Sequence, residues 1–203
     1  MRRYELILQE GIQAGQFGGP IEPHGDHAMG FVAFSDAVEA TADGVNIDIG
    51  TGAGLPGLVL ADALPGTHWL LVDRRSGRID LLRRAIKRLG LEHRVDAVAA
   101  DVADLGRGEW RGEAGVVTAR SFGPPGDTAE VAAPLLRPGG SLIVSEPPGE
   151  EDQDRWPEAG LRQCGLTHHE RWTTNSGTYS RFLRTDDEID DLPRKGARKT
   201  PLF

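Results

Sequence analysis

Hydrophobic and polar positions change rhythm along the chain. Val45–Ile49 (VNIDI) is a β-branched run ending in glycines, which predicts a strand feeding a tight turn. Residues 55–64 have helical composition, with Pro56 tolerated in the first turn and Pro65-Gly66 as the stop. His68–Asp73 (HWLLVD) predicts a second strand. In Ser76–Leu89 the apolar residues Ile79, Leu82, Ile86 and Leu89 recur at spacings of three and four, which predicts a helix with one buried face, ended by Gly90. The alternation continues with strands at 95–100 and 115–119 and a helix at 127–136. A turn at 137–140 then leads into a fifth strand at 141–145, a helix at 156–164, and strands at 167–173 and 178–184.

Strands alternating with helices in this way predict a parallel sheet covered on both faces. The last two strands have no helix between them, only a loop containing Asn175, Ser176 and Gly177, so they are expected to form an antiparallel hairpin at one edge. The expected architecture is α/β, a doubly wound sheet in a single domain. Residues 1–44 are read as an N-terminal helical cap, with an amphipathic segment at 4–12, a loop at 15–27 and a helix at 29–40. Residues 45–185 form the core, and residues 186–203 an acidic linker with a basic tail.

Composition narrows the function classes. A chain of 203 residues can bury about 70% of its unfolded surface, so it needs no staples. The single cysteine, Cys164, excludes a disulfide framework and a cysteine-rich zinc site. No run approaches the roughly 18 apolar residues of a membrane span, and MRRYELILQEG has two arginines with no apolar block behind them, unlike a secretory signal. A soluble, cytoplasmic protein is expected. His168 and His169 are adjacent on a strand and so point to opposite faces, and His24 and His27 have no third ligand in sequence. No metal is predicted.

The net charge of −8 argues against attachment to a polyanion by bulk charge, but its distribution is uneven. Arg74, Arg75, Arg78, Arg83, Arg84, Lys87, Arg88 and Arg94 face only Asp80 and Glu92 in that stretch. The last ten residues hold Arg194, Lys195, Arg198 and Lys199 and no acid. Such bases suit either a polyanion or a solvated helix face.

The stretch 45–57, VNIDIGTGAGLPG, carries the chemistry. A strand bears Asp48, and Gly50, Gly52 and Gly54 follow at alternate positions before a helix begins. A flat ligand can lie across the carboxyl ends of strands only where the first turn lacks side chains and lets backbone N–H groups approach. Two cofactor readings compete. Gly52-Ala-Gly54-Leu-Pro-Gly57 fits the G-x-G-x-x-G spacing of a dinucleotide site, and Asp73, ending the next strand, suits the ribose of NAD or of an adenosyl cofactor alike. Three features favour the latter. The run from Asp48 to Gly54 resembles the first motif of class I S-adenosylmethionine methyltransferases. Asp101, after the third strand, is placed to meet an adenine amino group. The approach LLRPGGSLIV followed by an edge hairpin belongs to that Rossmann-like class. S-Adenosyl-L-methionine is the expected cofactor.

Taken together, IDIGTGAGLPGLVLA, LLVDRRSGRIDLLRRAIKRLGL, VVTARSF, LLRPGGSLIV and the terminal LPRKGARKTPLF resemble the RsmG (GidB) family, which methylates guanine N7 in small-subunit (16S) ribosomal RNA. The Leu-Pro-Gly57 extension and Arg120, preceded by Thr118 and Ala119, are family features, and the basic tail is similar to the family's ending. There are departures. The family's longer N-terminal region, with its Trp-Asn and Asn-Leu-Thr stretch, has no match. His27 stands where a family histidine does, or is a loop residue without function. Where the family tends to have Leu-Lys-Gly after the fifth strand, this chain reads Ser145-Glu146-Pro147-Pro148-Gly149, read as an ordered turn.

The resemblance implies roles. Asp48, Gly50, Thr51, Gly52, Gly54, Leu55, Asp73, Arg74, Asp101, Val102 and Arg120 would hold the cofactor. Arg120 would also act in catalysis on the acceptor base, or else form a salt bridge. Arg74, Arg75, Arg78, Arg194, Lys195, Arg198 and Lys199 would track phosphates of ribosomal RNA or the small ribosomal subunit. Guanine N7 has a lone pair and no proton to lose, so the protein's task would be positioning of an unstacked base. A methyltransferase of a small molecule or protein, and a cofactor-binding protein without turnover, are the alternatives.

Overall fold

The computed structural model describes residues 3–13, 15, 18–34, 36, 44–149, 155–195 and 202–203. Seven strands form one sheet: β1 Val45–Ile49, β2 His68–Asp73, β3 Val95–Ala99, β4 Ala114–Ala119, β5 Leu136–Glu146, β6 Leu166–Thr174 and β7 Gly177–Arg184. Their order is β3-β2-β1-β4-β5-β7-β6. The pairs among β1 to β5 are parallel, whereas β7 runs antiparallel to both β5 and β6. This is the expected doubly wound sheet with its edge hairpin. The order reverses between β1 and β4, where ligands of such sheets bind beyond the carboxyl ends of the strands.

Successive strand residues face opposite sides, and the core divides accordingly. On one face Leu71, Val116, Ile143 and Tyr179 pack with helix α3 (Gly57–Ala63) and with Ile79, Leu82, Ile86 and Leu89 of α4 (Ser76–Leu89). On the other, Leu70, Val72, Val117, Leu142, Val144 and Phe182 meet α6 (Pro125–Ala132) and α7 (Glu158–Gln163). The stop of α4 is as expected: Gly90 adopts φ 66°, and its N–H closes the last turn.

The N-terminal region departs from the sequence expectation. The predicted loop 15–27 contains a helix, α2 (Ile21–Met29), that follows α1 (Glu5–Gln13). Pro23 is tolerated because it lies in the first turn, where backbone N–H groups have no helical partner. Gly25 lets the helix approach Tyr4, whose ring would sit 3.3 Å from a Cβ at that position. The helix expected at 29–40 is a 3₁₀ turn at Gly30–Phe34, and residues 35 and 37–43 lie outside the described residues.

Two further differences are local. A six-residue helix, α5 (Val102–Arg107), is too short for periodicity to announce; its signal is the cap, Asp101, whose side chain accepts from Ala103 N. The turn expected at 137–140 lies inside β5 as an irregularity. Leu136 pairs with Ala114 and Ser141 with Val116, so those four residues oppose only Gly115. Among the described residues no helix is long and apolar enough to cross a membrane.

Candidate functional site

The bend after β1 is built from below. Asp48 is fully buried, and its carboxylate accepts from Thr118 Oγ1 at 2.8 Å and from Gly57 N at 3.0 Å. These bonds tie β1 to β4 and to the first turn of α3. Burial pushes the Asp48 carboxyl up to about 6, with the Thr118 and Gly57 bonds and the Arg120 charge opposing the shift. Gly57 is required by close approach: a Cβ there would stand 2.6 Å from Asp48 Cβ and 2.5 Å from Leu71 Cδ2. Above, Gly50 has φ 66°, and a Cβ on it would lie 2.7 Å from Phe122 Cδ2.

Asp73 closes the other side of the bend. Its Oδ2 accepts from Gly52 N at 3.1 Å and from Arg78 Nη1 at 3.2 Å, and its Oδ1 accepts from Arg75 N at 2.9 Å. Together these residues bound a cavity of about 410 Å³ lined by Gly50, Asp73, Arg74, Arg75, Arg78, Val102, Ser121 and Phe122. A pocket of that size, with a bare backbone wall and one carboxylate, fits an extended nucleoside ligand.

The residues singled out from sequence thus separate by role. Gly50, Asp73, Arg74 and Val102 line the cavity, and Gly52 is fixed to Asp73. Asp48, Thr51, Gly54 and Leu55 do not line it. Thr51 is 1% exposed, and its N–H donates to Val72 O. A Cβ at Gly54 would meet Leu58 and Leu82, and Leu55 packs with Tyr4, Leu8 and Val59. These four shape the bend from the core side. Asp101 has one carboxylate oxygen in the cap of α5, which presents its neighbour Val102 to the cavity.

A second cavity, of about 310 Å³, adjoins the first and shares Ser121 and Phe122 with it. It opens beyond the carboxyl ends of β4 and β5, and its lining includes His27, Arg120, Pro147, Pro148, Arg155 and Trp156. Arg120 therefore lines the second cavity and not the first. Its guanidinium donates to His24 Nδ1 at 2.8 Å, and His24 Nε2 in turn donates to Gly18 O; a guanidinium has no acceptor, so Nδ1 supplies the lone pair and the ring proton sits on Nε2. The partner is a histidine rather than the acid that a simple salt bridge would need. Burial lowers Arg120 from its ordinary value, while the Tyr179 and Asp48 charges oppose that shift.

Ser121, on the shared wall, is a non-glycine residue at φ 51° among the described ones, a backbone position that costs L-residues of order 1 kcal/mol. His27 is not on a loop. It lies on α2 with its ring tilted against Tyr179 at 5.3 Å, and its carbonyl accepts from the Tyr179 hydroxyl at 2.7 Å. Burial, followed by the Arg120 charge, lowers His27 to about 4, so it is neutral at pH 7.

Glu146, predicted as part of a turn, ends β5 and is 7% exposed. Its Oε1 accepts from Trp156 Nε1 at 2.8 Å and Ser180 Oγ at 2.7 Å, and its Oε2 accepts from Arg155 Nη1 at 2.7 Å. The acidic residue after the fifth strand therefore brings a guanidinium and an indole to the second cavity. Sequence reasoning missed Phe122, Arg155 and Trp156. No local pattern marks them, because each reaches a cavity wall only through the packing of distant segments.

The bases expected on RNA divide as well. Arg74 and Arg75 are exposed at the mouth of the first cavity, and Arg84, Lys87 and Lys195 are exposed elsewhere. Arg78 is paired with Asp73 inside the first cavity. Arg194, expected to reach for phosphate with the tail, is engaged within the protein. Its backbone N, Nε and Nη2 all donate to the fully buried Glu130, at 2.9, 2.9 and 2.7 Å. A buried carboxylate needs that counter-charge, so this guanidinium belongs to the fold. Arg198 and Lys199 lie outside the described residues. Among the described residues no group of three or more His, Cys, Asp or Glu side chains could hold a metal ion.

Comparison with known proteins adds to this geometry. The family model described as GidB, rRNA small subunit methyltransferase G, matches residues 27–162. The chain is 36% identical over 167 residues to the ribosomal RNA small subunit methyltransferase G of Kineococcus radiotolerans, covering 80% of this chain and 63% of that protein. It is 32% identical over 146 residues to the protein of the same name from Frankia casuarinae, covering 70% and 54% respectively. The chain thus spans between about half and two thirds of the length of these relatives. Among solved structures it is similar to a SAM-dependent O-methyltransferase from Thermotoga maritima, with 16% identity, a TM-score of 0.59, and coverage of 78% of this chain and 65% of that one. At that identity the likeness shows a shared fold.

Proposed function

Since the chain belongs to the rRNA small subunit methyltransferase G (GidB) family, we propose that it is an S-adenosylmethionine-dependent methyltransferase acting on guanine N7 of small-subunit ribosomal RNA. The observation that carries this reading is the pair of contiguous cavities at the switch point, one walled by bare glycine backbone and Asp73, the other by Arg120, with Ser121 and Phe122 common to both. Two substrates must meet in a methyl transfer, and two joined cavities supply that meeting place.

The cofactor reading fits the residues present. The cavity wall is bare backbone at Gly50, where a Cβ would collide with Phe122, and Asp73 lines the same cavity. A carboxylate offers about four lone-pair sites, of which Gly52, Arg75 and Arg78 occupy three. A ribose hydroxyl takes the remaining site, and displacing the half-exposed Arg78 opens another. Val102 would flank the adenine, with Asp101 beside it, and Arg74 the outer rim. When bound, the cofactor supplies an electrophilic methyl group on a sulfonium whose departure leaves a neutral thioether.

The remaining work falls to this chain's own groups. N7 of guanine carries a lone pair and no proton, so no general base is required. The task is alignment, worth several kcal/mol when reacting atoms are held about 3–3.5 Å apart. Arg120, held by His24 and lining the second cavity, would donate to the O6 side of the base. His27 is neutral there and adds no charge against the guanidinium. Arg74 and Arg75 at the rim and the exposed Lys195 would contact phosphates, with Arg198 and Lys199 completing the tail. The RNA must present the base unstacked.

The test is transfer of labelled methyl groups from S-adenosylmethionine to small ribosomal subunits from a strain lacking the gene, with mass spectrometry of the ribosomal RNA nucleosides. Appearance of 7-methylguanosine in subunits treated with the wild-type chain is expected. Label appearing only in protein or metabolite fractions would overturn the RNA substrate, and cofactor binding without label anywhere would overturn the enzyme reading.

A further inference from the structure

Trp156 is held differently from the core tryptophan Trp69. A core tryptophan of this chain, Trp69, is 2% exposed and donates to Thr67 Oγ1 two residues away. Trp156 is only half-buried and lines the second cavity. Its N–H is anchored on Glu146, whose side chain is 3% exposed and is itself fixed by Ser180 and Arg155. Behind the indole lie Phe182, with ring centroids 4.5 Å apart, and Phe203 at 6.4 Å. The ring has its N–H edge fixed by a buried carboxylate and aromatic carbon packed beside it, and it forms part of the cavity wall.

A rigid indole with its N–H already satisfied offers only aromatic carbon to a ligand. It lies in the same cavity as the Arg120 guanidinium, and the cavity's 310 Å³ is at the low end of the range for small-ligand sites. Flat heteroaromatic rings with polar edges match both features, because they stack on the indole while their edges meet the guanidinium. Orientation is set before the ligand arrives, which lowers the ordering cost of binding.

We propose that Trp156, oriented by Glu146, is the stacking platform for the acceptor purine. The inference rests on the reading of the second cavity as the acceptor site. Glu146 is a positioning residue and touches the base only through the indole that it holds.

The test has two arms. In the first, the full chain with saturating S-adenosylhomocysteine is titrated with guanosine 5′-monophosphate while tryptophan emission is followed. Quenching is expected in the wild type and is lost in Trp156→Phe, which removes this one of the four tryptophans. In the second, KM for small ribosomal subunits is expected to rise roughly 5- to 150-fold in Trp156→Leu, the span of base–aromatic stacking. Trp156→Phe, which keeps an aromatic face, restores part of the loss, and binding of S-adenosylhomocysteine is unchanged throughout. Glu146→Gln, which keeps an acceptor for the indole, gives a smaller rise than Glu146→Ala. Equal quenching of the wild type and Trp156→Phe, or a KM for Trp156→Leu within twofold of wild type, overturns the platform. A wild type that quenches with guanosine 5′-monophosphate yet labels no ribosomal RNA leaves the platform standing and counts against the proposed substrate.

Discussion

Two aspartates in the bend illustrate how environment assigns different tasks to one side-chain type. Asp73 accepts three protein donors and still faces the first cavity, so its charge is available to a ligand. Asp73→Asn removes a charged acceptor, and S-adenosylhomocysteine should bind roughly 10- to 100-fold more weakly, since hydrogen bonds to charged groups contribute about 1.5–3 kcal/mol. Calorimetry reads this directly, and unchanged affinity would remove Asp73 from the cofactor site. Asp48 has no opening and acts on the fold. Its carboxyl stands at about 6 where an unfolded chain has 3.8, so across that interval the native state holds a proton that the unfolded state has released. Stability from this group is therefore lost as pH rises from about 4 through 6, to a total on the order of 3 kcal/mol at neutrality. Asp48→Asn has no such ionisation, so the melting temperature of the variant minus that of wild type should climb between pH 4.5 and 7.5. A difference that stays flat with pH would show that Asp48 does not ionise on its own in this window.

The elements around the bend depend on close approach more than on propensity. Helix α3 can lie against β1 and β2 because Gly57 lacks a side chain, and its N–H reaches Asp48 for the same reason. Gly57→Ala places a methyl against Asp48 and Leu71, and overpacking of this kind costs about 1–3 kcal/mol; thermal melting should show the loss, accompanied by weaker cofactor binding because the bend shifts with the helix. A Gly57→Ala protein with wild-type melting and wild-type affinity would mean that α3 moves away without consequence. The end of β4 carries the opposite case. Ser121 holds φ 51° where glycine would be unstrained, so Ser121→Gly should keep or raise stability, whereas Ser121→Val should lower it by about 1–2 kcal/mol. Both are read by denaturant unfolding.

Across the whole molecule, charge is divided between groups used by the fold and groups left at the surface. Glu130, buried and tied to Arg194, fixes the start of the basic tail against α6, and it lies near Cys164, whose thiol burial pushes up to about 12. Cys164 should therefore resist thiol reagents at pH 8 until the protein unfolds, and rapid labelling of the native chain would contradict the burial of that region. Much of this architecture was legible in the chain. Alternation of β-branched runs with helical periods specified the sheet and its edge hairpin, because a strand or a helix must hide one face and writes that need into its spacing. The bend at Gly50–Gly54 and Asp73 were legible for a related reason: a backbone with positive φ and a bare approach leaves few residue choices. Helix α2 was not, since Pro23 and Gly25 read as loop until Tyr4 and Tyr179 are seen packing against it. Nor could spacing tell that Arg78 and Arg194 would be drawn onto Asp73 and Glu130, or that Glu146 would hold Arg155 and Trp156 at the second cavity. Local pattern records what each segment must bury; which distant charge meets which is settled only when the strands stack and low-dielectric burial makes an unpaired carboxylate too costly to leave alone.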